Sequence, residues 1–500
     1  MLITDPFLRQ VNQRPGKAAI ILGRQAVSYA DLRNRADAVA MRVRAEASGR
    51  ITPLRCAILL EDGIDFIAGF LGVTLAGGVA VVLDPRSAAP EAARVLSDTE
   101  PALLFADPAQ GDAVSSLAAG CPIVLVRDGG LLVDDSRPPP GSVPYRVSPE
   151  ASFYIGLTSG TSGVAKAFIR SHRSWLASLD AAAIEFPLAA EDHVLVPGRL
   201  VHSLSLFAVV EALSSGATAH LMNDFDANEG LNVLRDQPIS RIHGVPTMYT
   251  AFCDAAAGCC FPEVGSLLSG GAKLAPMLKS RLARMFPQAA VIEYYGASEL
   301  SFVTVSDGGC PAESVGRPIH GVHISLRGED GAEVPAGRIG RLYVRSAMVC
   351  SGYLRARDNE GFHAEDGWVT IGDLGWRDDD GCIHLAGREN GMIISGGLNV
   401  YPAEVEAVLQ RLPEIAEVAV FGLPDTYWGE RVCAVIRWAD STTLSRAELR
   451  QRCSQDLDRR KCPQQFFAAE GFTRTESGKI AIAALRAKLI AGEARLPEIG

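Results

Sequence analysis

The chain has 500 residues, a length that predicts at least two domains, and its 48% hydrophobic and 21% charged residues are typical of a soluble globular protein. Its formal net charge of -10 argues against a nucleic-acid partner, because a phosphate backbone requires a basic surface. The 11 cysteines are scattered without metal-ligand spacing, which predicts a cytoplasmic protein with free thiols.

An uncharged apolar stretch at residues 66–83 approaches the length of a membrane span. Asp65 and Asp84 flank it, and Gly77 and Gly78 interrupt it. We therefore predict a buried helix, a glycine turn and a buried strand, and no membrane span. The first residues of the chain lack the apolar core of a signal peptide.

Short apolar runs alternate with helix-length segments through the first three quarters of the chain. They lie at residues 56–60, 79–83, 102–106 and 122–126. This alternation predicts parallel sheets covered by helices, hence an α/β fold class. From about residue 310 the strands become shorter and are joined by Gly and Asp turns, which indicates a more antiparallel portion. A smaller unit follows from about residue 390.

The segment YIGLTSGTSGVAKAF, residues 154–168, combines glycines, hydroxyl side chains and a lysine after an apolar run. Glycines let backbone N–H groups approach phosphate oxygens closely, and hydroxyls and a lysine add donors and charge. The spacing is not that of a Walker A loop, which disfavours a kinase or P-loop ATPase. The predicted phosphate-binding residues are Thr158, Ser159, Gly160, Thr161, Ser162, Gly163 and Lys166.

This segment resembles the phosphate loop of the acyl-adenylate-forming superfamily, which includes acyl-CoA synthetases, firefly luciferase and peptide-synthetase adenylation domains. The family pattern is usually T-S-G-T-T-G-x-P-K-G, from which Ser162, Ala165 and Ala167 depart. Further motifs follow in family order, so the resemblance covers nearly the whole chain. It implies a large N-terminal domain (1–389) of parallel-rich sheets covered by helices, with a β-barrel-like subdomain. A small, mobile α+β C-terminal domain (390–500) is implied to follow.

The resemblance also implies a nucleotide site. LSGGAKL, residues 268–274, is similar to the segment that lies against adenine, and YYGASEL, residues 294–300, is similar to the Y-G-x-T-E motif. Tyr295 is implied to stack on adenine, Ser298 to bond the α-phosphate and Glu299 to hold Mg²⁺, which as a hard cation prefers carboxylate oxygen. Asp373 and Arg388 are assigned to the ribose. The implied ATP and AMP residues beyond the phosphate loop are Gly270, Gly271, Ala272, Tyr295, Gly296, Ser298, Asp373 and Arg388.

The C-terminal part resembles the family's mobile domain. TRTESGKIAIAAL, residues 473–485, is similar to the motif of the catalytic lysine, here Lys479. Because a carboxylate attacking the α-phosphate brings two anions together, a cation there stabilises the transition state. The hinge position is usually Asp or Lys and is Asn390 here. The residues implied to meet the thiol or CoA are Ser395, Gly396, Gly397 and Trp428.

The acid pocket is implied by RLVHSLSLF, residues 199–207. Amino-acid-activating relatives carry an Asp here for the substrate amine, and this chain has none, so an α-amino acid is disfavoured. His202 resembles the histidine beside the acyl group in aryl- and acyl-CoA ligases, and we count it with Lys479 and Glu299 as catalytic. An apolar aryl or aliphatic acid is expected from mostly small or apolar walls. The predicted walls are His202, Ser203, Leu206, Val245, Ser269, Tyr294, Ser301 and Phe302. Arg199 leaves open a pairing with the second carboxylate of a diacid.

The predicted activity is therefore activation of a small-molecule carboxylic acid by ATP and Mg²⁺. Pyrophosphate is released, and the acyl group passes to the thiol of CoA. A stand-alone cytoplasmic ligase is the first reading. The alternative acceptor is the phosphopantetheine of a discrete acyl- or peptidyl-carrier protein. A non-catalytic nucleotide-binding scaffold ranks lower, because Lys479, Glu299 and Asp373 are retained.

Overall fold

A computed structural model describes the chain apart from residues 48–51, 62, 88, 111–120, 128–129, 132–146, 159–165, 257, 356–358, 360–361, 363–364, 396–397, 426–427, 441, 458, 476–477 and 494–495. The chain forms two compact units. Unit 1 contains Met1–Asp307, Ile319–Val322 and Arg345–His363. Unit 2 contains Gly308–Pro318, His323–Val344 and Ala364–Gly500.

The helices of unit 1 begin where the sequence supplies caps. Ser28, Ser171 and Asp226 accept hydrogen bonds from backbone N–H groups of the first turns that follow them, and such caps satisfy donors that a helix leaves unpaired. The helices are α1 Asp5–Gln13, α2 Tyr29–Glu46, α3 Gly63–Leu75, α4 Ala89–Thr99, α5 His172–Glu185, α6 Ser203–Ser215, α7 Ala227–Asp236, α8 Pro246–Ala255 and α9 Pro276–Met285, with a 3-10 helix at Pro108–Gln110.

The strands of unit 1 include the predicted apolar runs. They are β1 Ala18–Leu22, β2 Gln25–Ser28, β3 Arg55–Leu59, β4 Val79–Val82, β5 Leu103–Ala106, β6 Ile123–Arg127, β7 Gly130–Leu131, β8 Ser152–Thr158, β9 Lys166–Ser171, β10 His193–Val196, β11 Thr218–Leu221, β12 Arg241–Gly244, β13 Ser266–Ser269, β14 Ala290–Ala297 and β15 Ser301–Ser306.

These strands form two sheets that are parallel at their centres. One has the order β7-β6-β5-β3-β4-β8-β9, and its outer pairs β6–β7 and β8–β9 are antiparallel. The other runs β15-β14-β13-β12-β10-β11-β1-β2, with antiparallel pairs at β14–β15 and β1–β2. Central strands such as β4 and β5 are buried along their whole length, as expected for a parallel sheet with helices on both faces. The predicted α/β class is confirmed.

The apolar stretch at 66–83 divides as predicted. It supplies most of α3, a turn and β4. Gly77 takes a φ of +80° in that turn, a conformation that favours glycine. Asp65 is buried and pairs with Arg35 of α2 at 3.5 Å, so the flanking charge anchors one helix to the next. Among the helices that the structure describes, none combines the length and the apolar composition of a bilayer crossing.

Unit 2 is dominated by antiparallel pairs, as predicted after residue 310. Its strands are β16 Arg317–Pro318, β17 His323–Arg327, β18 Gly340–Arg345, β19 Asp373–Arg377, β20 Ile383–Arg388, β21 Ile393–Ser395, β22 Leu398–Val400, β23 Ile415–Asp425, β24 Gly429–Trp438 and β25 Gln465–Ala468. The predicted shortening of the strands is wrong, because β23 has 11 residues and β24 has 10. The helices of unit 2 are α10 Pro402–Leu409, α11 Arg446–Asp456 and α12 Ile482–Ile490, with 3-10 helices at Glu365–Gly367 and Glu389–Gly391. One sheet has the order β17-β18-β19-β20, and another has the order β22-β21-β24-β23 with β25 parallel to β24.

Cys310 and Cys382 form a disulfide, so the expectation of free thiols is wrong for this pair. They are separated by 72 residues and meet because Val315 donates its N–H to the carbonyl of Ile383, and Ile383 donates to Gly316. This long-range alignment brings the segment before β16 beside the start of β20. No local spacing of cysteines predicts such a pair. The other nine cysteines form no disulfide, as expected.

Arg170 on β9 is a buried cation that holds several segments of unit 1 together. Its Nε donates to the Ser174 hydroxyl at 3.0 Å, Nη1 donates to the Ser298 carbonyl at 3.0 Å, and Nη2 donates to the Met348 carbonyl at 2.8 Å. Burial lowers the pKa of the guanidinium to about 10, so it remains charged at neutral pH. This one side chain therefore links β9 and α5 to the segments at 298 and 348.

We expect Arg170→Lys to lower the free energy of unfolding by about 2 kcal/mol or more, because one ammonium cannot replace the planar fork and leaves buried carbonyls unpaired. Chemical denaturation of the full chain measures this. Arg173→Lys is the matched control, since Arg173 forms an ion pair with Glu150 at the exposed surface. Equal denaturation midpoints for the two variants would contradict the assigned role of Arg170.

Two buried histidines make the stability of unit 1 dependent on pH. His172 Nδ1 accepts the N–H of Ile3 at 3.3 Å, and His220 Nε2 lies 2.9 Å from His193 Nδ1. Burial lowers the pKa of both His172 and His220 to about 4. Between that value and the ordinary histidine pKa of about 6.5, the unfolded chain binds more protons than the folded chain. Stability is therefore full above the ordinary value and is lost as the pH falls toward 4.

We expect the free energy of unfolding to fall between pH 7 and pH 5 by up to about 1.4 kcal/mol per pH unit for each of these imidazoles. Urea denaturation at several pH values measures the slope. His172→Gln with His220→Gln should flatten it, whereas His323→Gln, at an exposed position of β17, should not. An unchanged slope in the double variant would refute the assignment.

Candidate nucleotide and acid site

The predicted phosphate loop connects two paired strands. β8 and β9 form an antiparallel hairpin in which Thr158 pairs with Lys166, and the Thr158 hydroxyl donates to the Lys166 carbonyl at 3.5 Å. These two predicted phosphate ligands therefore lie side by side at the base of the loop. The remaining predicted residues, Ser159, Gly160, Thr161, Ser162 and Gly163, lie outside the described residues.

A segment that the sequence analysis did not single out lies along the other side of β9. Ser351 donates its N–H to the carbonyl of Ile169 at 2.8 Å, and Leu354 donates to Ala167 at 2.8 Å. Between them, the Tyr353 hydroxyl donates to Glu299 Oε1 at 2.7 Å, and Lys166 Nζ lies 5.1 Å from the centre of the Tyr353 ring. Tyr353 thus contacts both the predicted metal ligand and the predicted phosphate-binding lysine.

Glu299 is 7% exposed, and its carbonyl accepts the N–H of Cys350 at 2.7 Å. Within the described part of the chain, no group of three or more His, Cys, Asp or Glu side chains could hold a metal. A single carboxylate fits Mg²⁺ that takes its other ligands from phosphates and water, since Mg²⁺ is usually bound in this way. The donor set is therefore compatible with a metal that arrives with a nucleotide.

The predicted adenine and α-phosphate residues lie at the ends of two neighbouring strands, β13 and β14. Gly270, Gly271 and Ala272 follow β13, while Tyr295 and Gly296 lie on the adjacent β14, with Ser298 just beyond it. The Tyr294 ring packs directly on Gly270, where an added Cβ would lie 2.6 Å from the ring. Only glycine permits this approach, which sets the backbone of the predicted adenine segment against β14.

The predicted acid residues cluster around the start of α6. His202 is its N-cap residue, the Ser203 hydroxyl lies 3.3 Å from the Tyr154 hydroxyl, and Leu206 is buried. Arg199 donates to both oxygens of Asp84, at 2.9 and 2.7 Å. Burial lowers the pKa of His202, so its imidazole is uncharged at neutral pH. Burial raises the pKa of Asp84, but the hydrogen bonds from Arg199 and the Arg86 N–H, together with the nearby Arg199 charge and His202 imidazole, lower it, and the net shift is downward.

The other predicted walls meet in an aromatic group. Tyr294 and Phe302 contact edge to face with ring centres 4.9 Å apart, and Phe186 and Phe207 contact Phe302 at 5.4 and 5.0 Å. Ser301 has a φ of +61°, and its hydroxyl lies 2.8 Å from that of Ser178. The last two predicted walls are Val245, the N-cap residue of α8, and Ser269, which is buried at the end of β13.

The sequence analysis missed a cluster of three buried polar side chains, His243, Glu211 and Arg241, which lies behind Tyr294. The His243 ring is tilted by 50° to the Tyr294 ring with ring centres 6.4 Å apart. Its Nε2 lies 3.6 Å from Glu211, which also lies 3.7 Å from Arg241. His243 and Arg241 alternate along β12, whereas Glu211 comes from α6. No periodicity in the sequence brings these residues together, because their contact depends on how α6 packs on the sheet.

In unit 2, the two predicted ribose residues are directly paired. Asp373 begins β19 and Arg388 ends β20, and Arg388 Nε donates to Asp373 Oδ1 at 2.8 Å. Asn390 lies in the 3-10 helix that follows β20. The structure brings together two residues that are 15 positions apart, and their assignment to the ribose stays a prediction.

The predicted thiol residues and the lysine lie further along unit 2. Ser395 is buried at the end of β21, while Gly396 and Gly397 lie outside the described residues. Trp428 is 41% exposed, and its backbone N–H donates to Asp425 Oδ1 at 2.8 Å. Lys479 is exposed, and its backbone exchanges hydrogen bonds with Thr475.

Known proteins match this arrangement over nearly its whole length. Residues 7–354 match the model of the AMP-binding enzyme family, and residues 404–479 match the AMP-binding enzyme C-terminal domain. The uncharacterized acyl–CoA ligase YhfT of Bacillus subtilis is 35% identical over 96% of this chain and 97% of its own. A feruloyl-CoA synthase of an Amycolatopsis species is 31% identical over 95% of this chain and 96% of its own.

Among solved structures, ATP-bound MatB from Rhodopseudomonas palustris has a TM-score of 0.88 at 25% identity, covering 99% of this chain and 100% of its own. This likeness agrees with the two-sheet unit and the smaller second unit described above. The family model covers most of the chain, and the relatives span nearly all of it. The chain therefore belongs to the AMP-binding enzyme family, as its motifs predicted.

Proposed function

We propose that this chain is a cytoplasmic acid–thiol ligase that uses ATP and Mg²⁺ to convert an apolar carboxylic acid to an acyl-adenylate and then to its CoA thioester. The main support for the proposal is that the β8–β9 hairpin, which bears the predicted phosphate loop, lies close to Glu299 within unit 1. Lys166 and Glu299 contact the same tyrosine, so a phosphate-binding cation and a metal-binding carboxylate flank one position.

In the first half-reaction, an oxygen of the acid attacks the α-phosphorus, and the bond from that phosphorus to the bridging oxygen of the β-phosphate breaks, so that pyrophosphate leaves. The loop from Thr158 to Lys166 donates to the phosphate oxygens. Glu299 would hold Mg²⁺, which when bound would offset phosphate charge. Lys479 stabilises the charge that builds up as acid and phosphate meet.

In the second half-reaction, the thiol sulfur of CoA attacks the acyl carbonyl and AMP leaves. We propose that the domain of residues 390–500 rotates about Asn390, which removes Lys479 and brings Ser395, Gly396 and Gly397 to the site. Trp428 packs on the adenine of CoA. The 41% exposure of Trp428 supports this role, because stacking on a ligand requires an aromatic side chain at the surface.

The acid is proposed to be a monocarboxylate with an aryl or aliphatic body. The Asp84 carboxylate already binds both Nη atoms of Arg199, so that cation is offset and not available to a second substrate carboxylate. The aromatic group around Phe302 favours an apolar body. Similar proteins are named as feruloyl-CoA synthase, indoleacetate–CoA ligase and long-chain-fatty-acid–CoA ligase, which supports the same class.

We expect pyrophosphate release that depends on the acid when the full chain is given ATP and Mg²⁺ with benzoates, cinnamates, fatty acids, malonate and amino acids in turn. Aryl or aliphatic monoacids should react, whereas malonate and amino acids should not. Repeated turnover on addition of CoA identifies CoA as the acceptor. A reaction that stops near one turnover with CoA indicates a carrier protein. Folded protein that binds ATP but releases no pyrophosphate would contradict the proposal.

We expect Lys479→Ala to slow acid-dependent pyrophosphate release by about 100-fold, because the cation at the developing charge is lost. Thioester formation from supplied acyl-adenylate and CoA should be nearly unchanged, since the lysine is proposed to leave before that step. Lys488→Ala, on α12, is the control and should behave as wild type in both assays. Equal loss in both half-reactions would contradict the proposed alternation.

A further inference from the structure

We propose that Tyr353 is a positioning residue that orients Glu299 for Mg²⁺ and holds Lys166 beside it. This inference rests on the proposed function, because it assigns Glu299 to the metal. It adds a residue that the sequence motifs do not contain. Tyr353 acts through two neighbours, because its side chain contacts Glu299 and Lys166.

The contact with Glu299 is a directed hydrogen bond to a buried carboxylate. The Tyr353 hydroxyl donates to Oε1 at 2.7 Å, and Glu299 is 7% exposed. A phenol has one hydrogen to donate, whereas a carboxylate has about four lone-pair positions. The bond therefore fixes the rotation of the carboxylate and leaves its other lone pairs for a metal. Hydrogen-bond partners of this kind typically change metal affinity 10–100-fold when they are removed.

Tyr353 can fix its neighbour because its own position is fixed from several directions. The main chain around it pairs with β9 through Ser351 and Leu354. The Asn359 amide accepts the Tyr353 N–H at 2.8 Å and donates to its carbonyl at 2.9 Å. Phe362 contacts the ring edge to face at 5.4 Å. The orientation of the phenol is thus set when the chain folds, which is the requirement for preorganised binding.

The same ring holds the lysine of the phosphate loop. Lys166 Nζ lies 5.1 Å from the ring centre, within the range of a cation–π contact. The face of the ring attracts the ammonium without neutralising it, so the charge remains available for phosphate oxygens. An ion pair with Glu299 would instead offset both charges. Tyr353 therefore keeps a cation and an anion close while both stay available to a metal-bound nucleotide.

The test measures ATP affinity by calorimetry in excess Mg²⁺ and again in EDTA, with full-length wild type, Tyr353→Phe and Tyr343→Phe. We expect Tyr353→Phe to reduce the strengthening of ATP binding by Mg²⁺ about tenfold, with ATP affinity in EDTA unchanged, since the ring under Lys166 is kept. Tyr343 on β18 offers a matched loss of a hydroxyl, and its variant should bind ATP as wild type does in both conditions.

A double-variant comparison tests whether Tyr353 acts through Glu299. In a Glu299→Gln background, Tyr353→Phe should have no further effect on the Mg²⁺ dependence, because the carboxylate that it orients is already absent. Additive effects of the two changes would overturn the inference. If Tyr353→Phe does not fold, Asn359→Ala is measured instead, since it loosens the main chain of Tyr353 and should also reduce the Mg²⁺ dependence.

The outcomes separate this inference from the proposed function. Equal Mg²⁺ dependence in wild type and Tyr353→Phe, with normal pyrophosphate release by wild type, overturns the role of Tyr353 alone. Weaker ATP binding by Tyr353→Phe that is the same in Mg²⁺ and EDTA also overturns it and leaves a structural role. Wild-type ATP binding that ignores Mg²⁺, together with no pyrophosphate release, counts against the metal role of Glu299 and the proposed function together.

Discussion

The burial of one charge, the Arg170 guanidinium, organises the nucleotide side of unit 1. A buried cation is tolerated only when its donors are paired, and the acceptors here come from segments far apart in the sequence. The Ser298 carbonyl lies 128 positions away, and the Met348 carbonyl lies 178 positions away. Because Glu299 follows Ser298 directly, satisfying Arg170 also fixes the backbone that carries the predicted metal ligand beside the phosphate-loop hairpin.

This dependence explains which parts of the structure the sequence could predict. The helix, turn and strand within residues 66–83 follow from local chemistry, since Gly77 marks the turn between them, although α3 begins at Gly63, before Asp65. The nucleotide motifs were also accessible, because the family resemblance names residue types in order along the chain. The sequence could not predict three other features: the partners of Arg170, the hydrogen bond from Tyr353 and the Cys310–Cys382 disulfide. Each of these contacts joins segments that meet only after strands have paired, and no local pattern in the sequence indicates such a contact.

The predicted acid pocket is a second case in which the sequence names residues but not how they pack. Its predicted walls could be named individually, but their character depends on packing around Tyr294. That ring lies against Gly270 on one side and against Phe302 on another, with a buried Glu211–His243 contact behind it. The rings of Phe186, Phe207 and Phe302 are buried against one another, Glu211 lies near Arg241 behind them, and Arg199 pairs with Asp84. Paired charges and an aromatic wall together favour the proposed apolar monoacid.

The two units differ in how firmly they hold the groups assigned to catalysis. Glu299 is buried and hydrogen-bonded on a segment tied to Arg170, whereas Lys479 sits on an exposed turn whose backbone bonds run to Thr475. A metal ligand must keep its geometry through both half-reactions, so burial and several hydrogen bonds suit it. A cation that has to arrive for one step and leave for the next is better placed at an exposed position of a mobile domain. The contrast in burial therefore follows the proposed order of events, because the binding groups are fixed when unit 1 folds and the group needed only for adenylation lies at an exposed position of unit 2.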